Sequence, residues 1–256
     1  MSVYTCYDMV VDCKAAKPEG WMFFAQRIVP ALRLLARHYK LGEEAVHRFV
    51  TKPDLFRDAT PMPEREFLTH QREALLAAGG YQGGKAGTLE LETVAEAFAE
   101  LTTVERQIAW LETLEYSTAE AAWLLRASEE TAAKARTKAG DALRAKLDSW
   151  TATILRDNGA LLGAEARAVT PNEPTTLRVC YDLIDGRLTW RDRAEFEHRL
   201  QNSWWEIDQL CRAREADEAL RASQNLTEDE AHEFLTNLKL PSKKPKKSWL
   251  SMLARS

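Results

Sequence analysis

The sequence predicts an all-α fold built from several small helical modules, and three observations carry that prediction. Ala, Leu, Glu and Arg dominate, residues with a strong intrinsic preference for helix. Only 11 glycines and 9 prolines punctuate 256 residues, and runs of β-branched residues are nearly absent, so little of the chain favours strands. Apolar residues recur three and four apart instead of alternating, the period of a helix with one buried face. A hydrophobic content of 45% with 29% charged residues fits a globular protein with a well-solvated surface. No stretch approaches the roughly 20 apolar residues that cross a bilayer. The N-terminal MSVYTCYDMVVDCK lacks the basic start and apolar run of a secretory signal. Cys6, Cys13, Cys180 and Cys211 form no C-x-x-C pair and are expected to be small apolar fillers in a reduced, cytoplasmic protein.

Taken in order, residues 1–78 form a first helical domain. Phe24, Ile28, Leu32, Leu35 and Tyr39 trace one face of a helix, a second helix is predicted over 42–50, and a third over 63–78. Pro63 and Glu64 suit the start of that third helix. A glycine-rich linker, 79–90, follows. Residues 91–150 read as four helices. A connecting segment, 151–176, contains AVTPNEPTTL, whose two prolines stop helix continuation. Residues 177–223 read as two or three more helices, and 224–256 as a basic C-terminal tail, expected to be disordered from Lys239 to Trp249.

Charge is distributed unevenly. Residues 90–120 carry eight acidic side chains against Arg106 alone, whereas 123–147 carry six basic ones against three acidic. Within YSTAEAAWLLRASEETAAKARTKAGDALR, Ser117 or Thr118 suits an N-cap with Glu120 in the first turn, and Ser128 suits a second N-cap. The helix after Ser128 is expected to bury Ala132, Ala135, Ala139, Leu143, Leu147 and Trp150. Its opposite face presents Thr131, Lys134 and Lys138. This pattern fits two readings: a helix-turn-helix entering a major groove, and an ordinary bundle helix with a solvated basic face.

The run AFAELTTVERQIAWLETLEYSTAEAAWLLRASEETAAKARTKAGDALR resembles region 4, the C-terminal helix-turn-helix, of extracytoplasmic-function sigma factors. The resemblance implies that Ser128, Thr131, Lys134 and Lys138 face promoter DNA and that the preceding helices dock on RNA polymerase core. Arg126 stands where the family's turn carries glycine, which predicts a left-handed residue at a cost of roughly 1 kcal/mol. WMFFAQRIVPALRLLARHY and EEAVHRFV resemble region 2 of the same family, whose acidic run grips the polymerase clamp. Carried over by position, that contact falls on Glu44, His47 and Arg48, with His47 and Arg48 replacing a Gln-Glu pair. EREFLTHQREALLAAGG, at the position of the promoter-melting helix, ends apolar and glycine-rich where the family is basic and aromatic.

The third segment, from Tyr181 to Arg221, resembles the zinc-binding anti-sigma domain through its LIDGRLT turn. The H-x-x-x-C-x-x-C ligand positions of that domain fall on Arg199, Ser203 and Glu206, so no zinc and no other cofactor is expected. Trp190, Trp204 and Trp205 are expected to supply an apolar staple in the metal's place. No phosphate loop, metal-spaced histidine pair or nucleophile motif appears, so no enzyme is expected. These readings combine into a sigma-factor-like regulator whose third segment contacts its sigma-like domains within the chain. The alternative is a non-initiating interaction adaptor, or an anti-sigma-like regulator, that keeps the sigma fold.

Overall fold

The computed structural model describes residues 3–52, 54–81, 101–113, 116–146 and 176–242. Every regular element among them is helical, with no strand. The chain divides into two compact units, Met1–Gly80 with Ala219–Ser256, and Tyr81–Glu218.

In the first unit, α1 (Cys6–Lys14) begins at Thr5, which exchanges hydrogen bonds with Asp8 in a capping box. Helix α1 lies in the N-terminal stretch for which the sequence reading assigned no element, although Thr5 and Asp8 carry the signal. Helix α2 (Pro18–Phe23) packs against α1 at bare backbone. A Cβ on Gly20 would sit 2.7 Å from the Cys13 nitrogen and 2.9 Å from the Asp12 carbonyl carbon. Gly20→Ala is therefore expected to destabilise the protein by about 2 kcal/mol. An unchanged denaturation midpoint would mean that the helices separate freely there.

A π turn, Phe24–Ile28, continues α2 into α3 (Val29–His38). Phe24, Ile28, Leu32, Leu35 and Tyr39 are all buried, as their spacing predicts. Pro30 has no N–H to offer the Gln26 carbonyl four residues back. That carbonyl accepts the Leu226 N–H instead, at 3.0 Å, and Arg27 next to it donates to Asn225 at 3.0 Å. Helix α4 (Glu43–Val50) buries Ala45, Val46, Phe49 and Val50. Helix α5 (Glu64–Gly79) ends at Gly80, whose φ of +73° is the left-handed conformation that closes helices. Phe24, Phe56 and Phe67 form the aromatic centre, with Phe56 stacked on Phe67 at 5.8 Å and edge-on to Phe24 at 5.4 Å.

In the second unit, α6 (Thr103–Thr113) is capped by Thr102 and Glu105. Ser117 and Glu120 form the predicted box at the start of α7 (Thr118–Leu124). Helix α8 (Glu129–Lys146) crosses both on alanines, with Ala122, Ala132 and Ala135 packed on Ile108. Three helices lie in the described residues where the sequence predicts four. Residues 91–100 and 147–150 lie outside them, as does the side chain of Leu143. Also outside are 82–90 of the linker, 151–175 of the connecting segment and 243–256 of the tail.

Helices α9 (Leu177–Ile184), α10 (Trp190–Asn202) and α11 (Trp204–Ala222) do not form a core of their own within this unit. Trp110, Leu111, Leu124 and Ala139 of the helix-turn-helix share one apolar cluster with Tyr181, Phe196, Leu200, Ile207 and Leu210. The tryptophan staple is corrected here. Trp190 is 84% exposed, because Thr189 caps the helix it opens and the buried face starts later, at Phe196. Trp205 is half-buried, and the side chain of Trp204 lies outside the described residues.

Helix α12 (Glu228–Asn237) completes the first unit, and it corrects the assignment of 224–256 to a tail. Thr227 and Glu230 form a capping box, and Ala231, Phe234 and Leu235 make a buried face. The Arg33 guanidinium lies 5.0 Å from the centre of the Phe234 ring. The Glu230 carboxyl is held below its usual range by hydrogen bonds from the Thr227 backbone and hydroxyl. Its support for the cap is therefore present above the ordinary carboxylate range and fades as pH falls through the lowered value. Among the described residues no helix is long and apolar enough to cross a membrane.

Candidate nucleic-acid interface

Helices α7 and α8 are joined by the short turn at Leu125–Ser128. Arg126 adopts φ +53°, the left-handed conformation predicted for it. Thr131, Lys134 and Lys138 lie on the exposed face of α8, while Ala132, Ala135 and Ala139 are buried. The sequence-predicted set is thus brought together on one helix face, but much of its polar capacity is already engaged. Ser128 Oγ accepts the Thr131 N–H at 3.1 Å and lies 2.8 Å from the Thr131 hydroxyl. Ser128 caps the helix and its hydroxyl engages that of Thr131, while Lys134 and Lys138 are the charged members of the set. Lys134 pairs with Glu130 at 2.6 Å, and Lys138 lies 3.9 Å from Glu105. Arg136 pairs with Glu112 and donates to Thr118 at 2.7 Å. The lysines are 72% and 75% exposed. The Lys134–Glu130 pair, exposed at both ends, contributes about 1 kcal/mol or less, so a phosphate can displace that carboxylate; the Glu105 partner of Lys138 is only 11% exposed.

Glu44, His47 and Arg48 lie on α4. Glu44 and Arg48 are exposed. His47 is half-buried, 3.7 Å from the Glu43 carboxylate and 5.9 Å from the Phe234 ring of α12. That imidazole is therefore partly covered by a helix of the same unit.

Sequence reasoning marked Arg126 but missed its partners Ile184 and Asp217, and Arg214, which together hold the helix-turn-helix to α9 and α11. Arg126 donates to the Ile184 carbonyl at 2.9 Å and to Asp217 at 3.1 Å. Arg214 donates in the other direction, to the Leu124 carbonyl at 3.1 Å. Burial pushes the Arg214 guanidinium below its ordinary value. The one signal in the sequence was an arginine at a turn position that favours glycine.

Arg199, Ser203 and Glu206 converge as the zinc-ligand spacing implies, but as an ion pair. Arg199 donates to Glu206 through Nη2 at 2.6 Å and Nε at 3.2 Å, and Ser203 Oγ accepts the Glu206 N–H at 3.4 Å. Glu206 is fully buried. A guanidinium at a ligand position repels a cation, and tetrahedral zinc needs thiolate or imidazole donors, so these residues do not fit zinc. Burial pushes the nearby Cys180 thiol up to about 12, which keeps it protonated. Among the described residues no group of three or more His, Cys, Asp or Glu side chains is placed to hold a metal.

No protein-family model matches the chain, and neither the curated proteins nor the solved structures give a significant match.

Proposed function

We infer that the chain is a sigma-factor-like transcription regulator that meets DNA through α8 and RNA polymerase core through α4, α6 and α7, with its third segment acting as a built-in cover. The observation that carries this reading is the shared core of the second unit. Helices α9–α11 pack on α6 and α7, the helices that the resemblance assigns to polymerase docking, while Lys134 and Lys138 of α8 stay exposed. A cover on one face and an open basic face on the other suit a DNA contact that precedes polymerase docking.

The test is binding of the full-length protein to duplex DNA over a salt series, together with competition against a housekeeping sigma factor for core polymerase. Two lysine contacts are expected to give a slope of about −2 in log K against log salt. Lys134→Glu with Lys138→Glu should weaken binding about tenfold or more at low salt and flatten that slope. No DNA binding by the parent protein and no competition for polymerase would end the reading.

A second reading, an interaction adaptor that keeps the fold without initiating transcription, draws on the carboxylates at the same site. Glu130, Glu105 and Glu112 already pair with Lys134, Lys138 and Arg136. It predicts little DNA binding at physiological salt and no response to the charge reversal.

A further inference from the structure

Two guanidinium groups tie the helix-turn-helix to the third segment from opposite sides. Arg126 reaches from the turn to the Ile184 carbonyl and Asp217, and Arg214 reaches back from α11 to the Leu124 carbonyl. Leu124 and Ile184 are the last residues of α7 and α9. Carbonyls at such positions have no intrahelical partner and carry the negative end of the helix dipole. Each helix end is therefore closed by an arginine from the other side. The Asp217 side chain is 5% exposed and that of Arg126 45%, so the clasp is buried on the α11 side and open to solvent on the turn side. A turn with φ +53° is served best by glycine. Arginine there makes sense through what its side chain holds.

We propose that Arg126 is a positioning residue, a clasp that keeps α9–α11 seated on α6 and α7 and whose opening uncovers them. The proposal rests on the functional reading above for what is uncovered, and on geometry alone for the clasp. Opening Arg126 removes two charge-assisted or dipole-directed bonds at once, leaving the Arg214 bond to the Leu124 carbonyl and the apolar cluster to hold the two sets of helices together.

The test compares amide hydrogen exchange in full-length wild type, Arg126→Gly, Asp217→Asn and Arg126→Lys. Arg126→Gly relaxes the turn backbone, so a purely local role predicts slower or unchanged exchange in α7 and α9. The clasp predicts about tenfold faster exchange in Thr118–Leu124 and Leu177–Ile184 for Arg126→Gly and Asp217→Asn, with Arg126→Lys close to wild type. Unchanged exchange in these helices overturns the proposal. Equal acceleration in α1–α5 marks general unfolding and overturns it as a local device. Core polymerase binding is measured on the same variants. Faster exchange with stronger binding supports both the clasp and the functional reading. Faster exchange with no binding by any variant supports the clasp and removes the sigma-type reading.

Discussion

Trp110→Ala is expected to destabilise the unit Tyr81–Glu218 by about 4 kcal/mol, the cost of emptying a large aromatic site in a core that cannot collapse around it. Trp110 is 1% exposed and among the largest fully buried side chains. It belongs to the cluster that joins the helix-turn-helix to Phe196, Leu200 and Ile207 of the third segment. The loss should therefore reach both sets of helices, lowering amide protection in α6–α8 and in α9–α11 together. Trp110→Phe, which keeps most of the apolar volume, should cost distinctly less. If the alanine variant lost protection in α6–α8 alone, the two sets would not share a core and the cover would be only loosely laid.

Arg199→Ala is expected to cost about 3 kcal/mol, because it withdraws the guanidinium from a carboxylate that is out of water. Glu206 is fully buried, whereas the Arg199 side chain keeps 31% exposure. The asymmetry makes the carboxylate the expensive member to strand. Replacing both residues with apolar ones of similar size, Arg199→Met with Glu206→Leu, should recover most of the loss. A double replacement as damaging as the single one would mean that the pair contributes more than charge cancellation. A chelator should leave the wild-type denaturation midpoint unchanged; a lowered midpoint would reveal a metal and overturn the ion-pair account.

The local grammar of this chain was readable, and its long-range consequences were not. Ser117 with Glu120, and the run of alanines on α8, announce caps and a close helix crossing through neighbours three or four residues apart. The same grammar was present at Thr5 with Asp8 and at Thr227 with Glu230. At both places the surrounding composition, an N-terminal stretch and a basic tail, says little for a helix. Trp190 misled for a different reason: residue type suggests burial, but position relative to Thr189 sets orientation. Arg126 was legible as an exception in its turn, while its partners Ile184 and Asp217 lie 58 and 91 residues away. No local pattern points across that distance. For the DNA-facing set, the helix face was legible from spacing. The Ser128 cap was legible too, while the contact of its hydroxyl with that of Thr131, and of the lysines with Glu130 and Glu105, depends on rotamers and on α6.

Pro30 has a consequence for the order in which the protein is made. The carbonyl it frees on Gln26 is claimed by Leu226, and Arg27 beside it is tied to Asn225, 198 residues further on. Ribosomes add about 5–20 residues per second, so the nascent N-terminal helices wait roughly 10–40 s for the strand of chain that finishes them. Tyr81–Glu218 has left the ribosome by then. The helices before Tyr81 are thus completed only after Tyr81–Glu218 has been made, and the Gln26 carbonyl and the face that Phe234 covers go without those partners until then.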